Sequence, residues 1–136
     1  MKNPDFKASA RTVWAAVIIS AVLLTLVCVL PCVLIGRLYD EVSPLIDSAR
    51  TAVSEEDYSS AEAYCKRITA AVEKDMRLLQ LFYDHRDIYA LYNAAASAEA
   101  IAPTEDPAQL LEELCSARTA IEMLRSRDRA SIFNLL

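Results

Sequence analysis

The feature that most constrains this chain is a run of 25 residues without a charged side chain, residues 12–36, bounded by Arg11 and Arg37. A helix rises about 1.5 Å per residue, so this run reaches roughly 37 Å, enough to cross a hydrocarbon layer of about 30 Å with some tilt. Trp14 near one end and Tyr39 just past the other suit the two membrane–water interfaces. The sequence therefore predicts a transmembrane helix over residues 12–36.

A cleaved signal sequence is the alternative interpretation of this run. The apolar region of a signal sequence is typically about 7–15 residues long and is followed by a small-residue cleavage site. The present run is longer, and no A-x-A site follows it. A lipoprotein signal needs small residues just before a cysteine, whereas large side chains or proline precede Cys28 and Cys32. We expect an uncleaved anchor, with cleavage as the remaining alternative.

Charge is distributed unevenly on the two sides of the run. Residues 1–11 carry three basic groups and one acidic group, a net charge of +2, whereas residues 37–136 carry 11 basic and 18 acidic groups, a net charge of −7. Because basic flanks stay in the cytoplasm, we expect a cytoplasmic tail over 1–11 and an extracytoplasmic acidic domain over 37–136. Nucleic acid is not an expected partner, since phosphate contacts need clustered Lys and Arg.

Residues 37–136 have the composition of an all-α domain. The whole chain contains a single glycine, and it is rich in Ala and Leu. Apolar residues recur at helical spacing in four segments that are joined by short turns. We therefore predict an all-α chain, in which one N-terminal transmembrane helix is followed by a small antiparallel bundle of about four helices arranged as αα-hairpins.

Cap and turn residues set the predicted helix boundaries. The first bundle helix continues from the apolar run and restarts at Ser43-Pro44, where Ser43 is a candidate cap. The second helix covers about residues 58–83, and Ser54 or Asp57 is its candidate cap. The third follows a cap at Asp84, and the fourth covers about residues 107–127.

Two side-chain placements depend on how the helices pack. Asp75 falls on the apolar stripe of the second helix, and we expect it to be solvated, because an unpaired buried carboxylate is costly. Pairing with Arg118 or Arg86 is the alternative. At the C-terminus we expect Ile132 or Phe133 to pack on the bundle, since the last residues are apolar.

Small residues recur along one side of the apolar helix at spacings of three and four. They are Ala21, Thr25, Cys28, Cys32 and Gly36. Such a face permits the close approach of a second membrane helix, either from a partner protein or from a second copy. Chance is the competing interpretation, because membrane helices are rich in small residues anyway.

The turn Asp84-His85-Arg86-Asp87 contains the only histidine of the chain. Asp84 and Asp87 occupy the two positions of a capping box, with Asp in place of the usual Glu or Gln. His85 could be a pH-sensitive group or one metal ligand, but no second histidine and no C-x-x-C accompany it. We therefore favour a structural turn, and we expect no metal and no cofactor.

Cys65 and Cys115 lie on the second and fourth predicted helices. They could form a disulfide if those helices are neighbours in an oxidising compartment. Free cysteines packed in the core are the favoured alternative, because cysteine is among the most buried residue types.

Three short motifs make the chain similar to a known family. They are D-Y-x-x-A at Asp57, Tyr58 and Ala61, F-Y-D-H-R-D-I at residues 82–88, and S-I-F-N-L-L at residues 131–136. Together with the N-terminal apolar run, they resemble the single-span bacterial proteins, known chiefly from Firmicutes, that are catalogued as domain of unknown function 4363. The resemblance implies a membrane-anchored helical domain, and it implies no reaction and no catalytic residue.

No phosphate-binding loop, nucleophile elbow or H-E-x-x-H motif is present in the sequence. We therefore predict a non-enzymatic, membrane-anchored interaction or accessory protein in the cell membrane, without a small-molecule substrate. Its expected partners are the lipid bilayer and either a membrane protein or a second copy of itself. The alternative is a homo-oligomeric structural protein of the cell envelope or spore membrane.

Overall fold

The computed structural model describes the backbone of residues 4–133 and the side chains of residues 10–127. Within that range the chain is entirely helical, which confirms the predicted fold class. The elements are α1 (Pro4–Ser54), α2 (Tyr58–Leu79), α3 (His85–Ile101), a short 3₁₀ helix (Ala102–Thr104) and α4 (Pro107–Phe133). The chain divides into two units, Met1–Pro31 and Cys32–Leu136.

The first unit is the apolar part of α1, and its side chains are exposed all round the helix. Eleven large apolar side chains of this unit, from Val13 to Val29, are more than half exposed, and so is Val33 just after it. They are Val13, Trp14, Val17, Ile18, Ile19, Val22, Leu23, Leu24, Leu26, Val27, Val29 and Val33. The helix is long and apolar enough to cross a membrane by length and composition, a test that a signal sequence also passes.

The second unit contains the hydrophobic core. α3 packs against both α2 and α4, and the 3₁₀ helix packs against α2 and α3. Large side chains from all four α-helices are fully buried at helical spacing, as an amphipathic bundle requires. They are Ile35, Leu38, Val42, Ile46, Ile68, Leu79, Ile88, Leu91, Leu110, Leu114, Ile121 and Leu124. Ile35 belongs to this core, so the last residues of the predicted span, 32–36, lie in the bundle unit.

The predicted restart of the first bundle helix at Ser43-Pro44 is wrong, because α1 continues through both residues to Ser54. Proline removes one backbone donor, and here the packing around it outweighs that loss. The neighbouring Val42 and Ile46 are fully buried. Ser43 is also buried, and its hydroxyl accepts a hydrogen bond from Arg118 instead of capping a helix.

The boundaries of α2 and α3 follow the predicted caps more closely. The Asp57 carboxylate accepts the backbone N–H of Ser60 at 3.0 Å and caps α2. Hydrogen bonds from the Ser60 side chain and, to a smaller extent, from the Ser60 backbone lower the pKa of Asp57. α2 ends at Leu79, and residues 80–83 form the turn into α3 rather than its last helical turn.

Asp75 is buried, with 7% of its surface exposed, so the expectation that it is solvated is wrong. Neither predicted partner pairs with it. Arg118 contacts Asp47, and Arg86 contacts Asp84. The predicted docking of Ile132 and Phe133 lies outside the described side chains.

Two arginines of α4 fasten that helix to α1. Arg118, 23% exposed in its side chain, donates to Ser43 Oγ at 2.7 Å and to Asp47 Oδ1 at 2.6 Å. Arg125 lies 3.7 Å from Asp40 Oδ1, with its guanidinium carbon 3.9 Å from the centroid of the Tyr39 ring. Cations late in a helix favour its C-terminus, and in the structure these two arginines also form contacts between helices.

Replacing Arg118 should destabilise the bundle, because it leaves the Ser43 hydroxyl buried without its donor and breaks a charge-assisted hydrogen bond. We expect Arg118→Ala to lower the free energy of unfolding by about 2 kcal/mol. The measurement is urea unfolding of the full-length protein in detergent micelles, followed by near-ultraviolet circular dichroism. Arg86→Ala is the control, since that side chain is 91% exposed and should change the value by less than about 0.5 kcal/mol. Equal effects of the two substitutions would contradict this role of Arg118.

Candidate functional site

The turn between α2 and α3 holds Asp84, His85 and Asp87 in three different environments. Asp84 is the N-cap of α3, and its Oδ1 accepts the backbone N–H of Arg86 at 2.9 Å. This hydrogen bond, with smaller contributions from the Arg86 side chain and from His85, lowers the pKa of the Asp84 carboxyl. His85 is the first residue of α3 and is exposed. The turn therefore has the geometry of a helix start.

Asp87 does not complete a capping box. Its carboxylate is 29% exposed and pairs with the guanidinium of Arg127, which joins the first turn of α3 to α4. Aspartate is one methylene shorter than the Glu or Gln that usually reaches back to the N-cap residue. Asp87 therefore pairs with the cation of Arg127 instead of bonding to the cap. Asp84, His85 and Asp87 are close in sequence, but they do not converge on one point.

A groove between α3 and α4 begins at the Asp87–Arg127 pair. Its volume is about 490 Å³, and it is open to solvent along one side. Small residues make room for it, among them Ala90 on α3 and Ser116 and Ala120 on α4. Cys115 is exposed beside it, and Met123 is 53% exposed.

The groove was not predicted from the sequence, although the helical period of α4 indicates which α4 residues line it. The apolar stripe of α4 directs Leu114, Ile121 and Leu124 into the core. Cys115 and Met123 therefore fall outside the buried face of the same helix. The facing residues of α3 follow only from the packing of the two helices, which the sequence does not specify.

Cys65 and Cys115 are both free cysteines in the structure and lie in opposite environments. Cys65 is fully buried in the core, as the favoured interpretation predicted, whereas that interpretation is wrong for Cys115, which is exposed. Burial, together with the charges of Glu99 and Glu62, raises the pKa of the Cys65 thiol to about 11. Cys65 is therefore protonated and unreactive at neutral pH.

The small-residue face is divided between the two units. In the first unit Ala21, Thr25 and Cys28 are exposed, and the Thr25 hydroxyl donates to the carbonyl of Ala21 at 2.9 Å, so its polar group is satisfied within the helix. In the second unit Cys32 and Gly36 are half-buried. A Cβ added at Gly36 would meet no atom of the chain within 4 Å. Packing within this chain therefore does not explain the small residue at that position.

Among the described residues, no group of three or more His, Cys, Asp or Glu side chains is arranged to hold a metal ion. His85, the residue considered for such a role, stands at the surface beside the cap. The role that the structure indicates for His85 is that of the first residue of α3, directly after the cap.

The comparison with protein families gives one match, to the family described as Domain of unknown function (DUF4363), over residues 34–135. The chain belongs to this family. The DUF4363 region coincides with the bundle unit, Cys32–Leu136, to within two residues at either end. It contains D-Y-x-x-A and the F-Y-D-H-R-D-I turn, and most of the apolar run lies before it. Neither the curated proteins nor the solved structures give a match.

The turn allows a direct comparison of two adjacent side chains of the DUF4363 region. We expect Asp84→Ala to lower the melting temperature of the full-length protein by a few degrees, since it removes the acceptor for the Arg86 N–H. His85→Ala should leave the temperature unchanged. Thermal unfolding in detergent, followed by circular dichroism, measures both.

The Asp84 effect should also depend on pH. Because the folded-state pKa is lowered, the stabilisation is complete above the ordinary value of 3.8 and is lost as the pH falls below it. The difference in melting temperature between wild type and Asp84→Ala should therefore become smaller below pH 3.8. A larger effect of His85→Ala than of Asp84→Ala would show that the histidine has a role beyond the turn.

Proposed function

We propose that this DUF4363 protein is a non-enzymatic, membrane-anchored interaction protein. In this proposal the apolar part of α1 spans the membrane, and the acidic bundle is presented on the extracytoplasmic side to a membrane-protein partner. Anchoring raises the effective concentration of the bundle near other membrane proteins, so a weak binding surface is sufficient. Two features support the proposal: the exposed apolar surface of α1 and the groove between α3 and α4.

The exposed apolar surface is the observation on which the anchor rests. Twelve large apolar side chains between Val13 and Val33 are more than half exposed, and residues 12–36 carry no charge. A helix that is hydrophobic all round needs a protein core or a lipid environment. The segment between residue 12 and the start of the bundle unit, residues 12–31, is about 30 Å long as a helix, which equals the thickness of the hydrocarbon layer.

The proposed orientation rests on charge. The flank before the span is net positive and the domain after it is net negative, which favours a cytoplasmic N-terminus.

Cys115 provides a test of orientation that needs no added label site. A membrane-impermeant maleimide applied to intact cells should modify Cys115, which is exposed, and should leave the buried Cys65 unmodified until the protein is unfolded. Peptide mass spectrometry identifies the modified residue, and Cys115→Ser is the control. Modification of Cys115 only after the membrane is permeabilised would reverse the orientation.

The groove offers a test of the partner. A photo-crosslinking residue in place of Met123, 53% exposed beside the groove, should give an adduct with a second polypeptide in intact membranes. Glu122 is the matched control, because it is the adjacent residue of the same helix, is 54% exposed in its side chain and lies outside the groove. An adduct at neither position would contradict the groove as the binding surface.

The homo-oligomeric alternative is tested by the same photo-crosslinking residue placed in the exposed part of α1, beside the small-residue face. Exposed Ala21, Thr25 and Cys28 on one face of α1 leave room for a second copy of that helix. An adduct of twice the monomer mass that contains only this chain would favour self-assembly in an envelope or spore membrane. A metal or cofactor that stays bound through purification would contradict the non-enzymatic part of the proposal.

A further inference from the structure

The helix lengths within the bundle show which turn lies at the end where the bundle part of α1 begins. Within the bundle unit α1 covers residues 32–54, about 34 Å of helix, and α2 returns over 22 residues, about 33 Å. The turn after α2, residues 80–84, therefore lies at the same end as the first residues of the unit. The covalent link holds this end close to the apolar segment, whatever angle the segment makes with the bundle.

Side-chain contacts of α4 support this assignment. Arg125 contacts Tyr39 and Asp40 near the start of the bundle part of α1. Arg127, two residues later on the same helix, pairs with Asp87 in the first turn of α3. The α2–α3 turn and the beginning of the bundle part of α1 therefore lie at the same end of the bundle.

The α2–α3 turn, taken from here on with the helix ends that flank it as residues 77–87, carries exposed apolar and basic side chains together. Leu81 is 75% exposed and Leu78 is 45% exposed, whereas Leu79 between them is fully buried in the core. Arg77 is exposed, and the Arg86 side chain is 91% exposed. The acidic groups of the turn are already engaged, Asp84 as the cap of α3 and Asp87 with Arg127.

The connections at the opposite end of the bundle are acidic. The connection between α1 and α2 contains Glu55, Glu56 and Asp57, and the connection between the 3₁₀ helix and α4 contains Glu105 and Asp106. Neither connection contains a basic residue. Anionic lipid headgroups would repel that end and attract exposed arginines.

We propose that the α2–α3 turn is a second membrane contact, in which Leu81 and Leu78 enter the interface of the bilayer and Arg77 and Arg86 contact anionic phospholipid headgroups. This contact rests on the proposed anchorage, because the apolar segment is what holds the turn near the bilayer. Two leucines alone bind a membrane weakly, and the tether makes such a contact effective. The contact fixes the bundle against the membrane surface and directs its acidic end away from it.

Tryptophan fluorescence tests the contact in the full-length protein, because Trp14 is its only tryptophan. The protein is reconstituted in vesicles of phosphatidylcholine and phosphatidylglycerol, with brominated or ordinary acyl chains, and bromine quenches tryptophan that reaches the lipid. The wild type reports on Trp14. Leu81→Trp and Leu78→Trp, each in a Trp14→Phe background, report on the turn, and Glu55→Trp in the same background reports on the far end.

The expected result is that Trp14 is quenched, that tryptophan at position 81 loses about half of its emission, and that tryptophan at position 55 is unaffected. Quenching of Trp14 with positions 81 and 78 as unaffected as position 55 would overturn the contact and leave the anchor standing. Absence of quenching at Trp14 would overturn the anchor, and the contact with it.

The arginines are tested by charge reversal in the Leu81→Trp protein. Arg77→Glu with Arg86→Glu should reduce the quenching at position 81 at least about twofold in vesicles that contain phosphatidylglycerol, and much less in pure phosphatidylcholine. The same substitutions should not alter the circular dichroism spectrum, since both side chains are exposed. Equal quenching before and after charge reversal would overturn the role assigned to the arginines.

Discussion

The structure depends on one constraint, which is that α1 must satisfy two environments along a single helix. Up to Val29 its apolar side chains are exposed on every side, and from Ile35 onwards the same helix supplies the core with residues such as Leu38 and Ile46. Apolar surface of this extent is strongly unfavourable in water. The first part has the length and composition of a candidate membrane span, and the second part packs in the bundle with the other three helices.

The bundle closes on α1 through polar contacts as well as through its core. α3 packs on both α2 and α4, and Arg118 and Arg125 join α4 to α1. Arg127 makes the equivalent join between α4 and α3. Arg118 lies at the border of the core, with 23% of its side chain exposed, and a hydrogen-bonded ion pair there contributes more than it would in open solvent.

The sequence was informative where one residue determines the local structure. Asp57 and Asp84 cap α2 and α3 as their positions indicated, and the apolar stripe of α4 lies in the core. It was misleading where packing competes with a local rule. Pro44 stays inside α1, and Asp75 is buried on the apolar stripe of α2. In both cases a local preference of a few kcal/mol is weighed against contacts from other helices that the sequence does not specify.

The candidate surfaces show the same division. The exposure of Cys115 and Met123 follows from the helical period of α4, whereas the groove beside them needs the position of α3. The beginning of the bundle was also hard to place, because the charge-free run extends to residue 36 while the core already includes Ile35. Apolar side chains in lipid and apolar side chains in a protein core look alike in a sequence.

The central claim is that α1 remains one helix that joins a membrane segment to the bundle. The most direct test is the intact mass of the protein extracted from membranes that have been washed with alkaline carbonate. The predicted result is a chain that stays with the washed membranes and whose mass includes the apolar segment. A chain released by the wash, with a mass that corresponds to loss of the apolar segment, would contradict the claim.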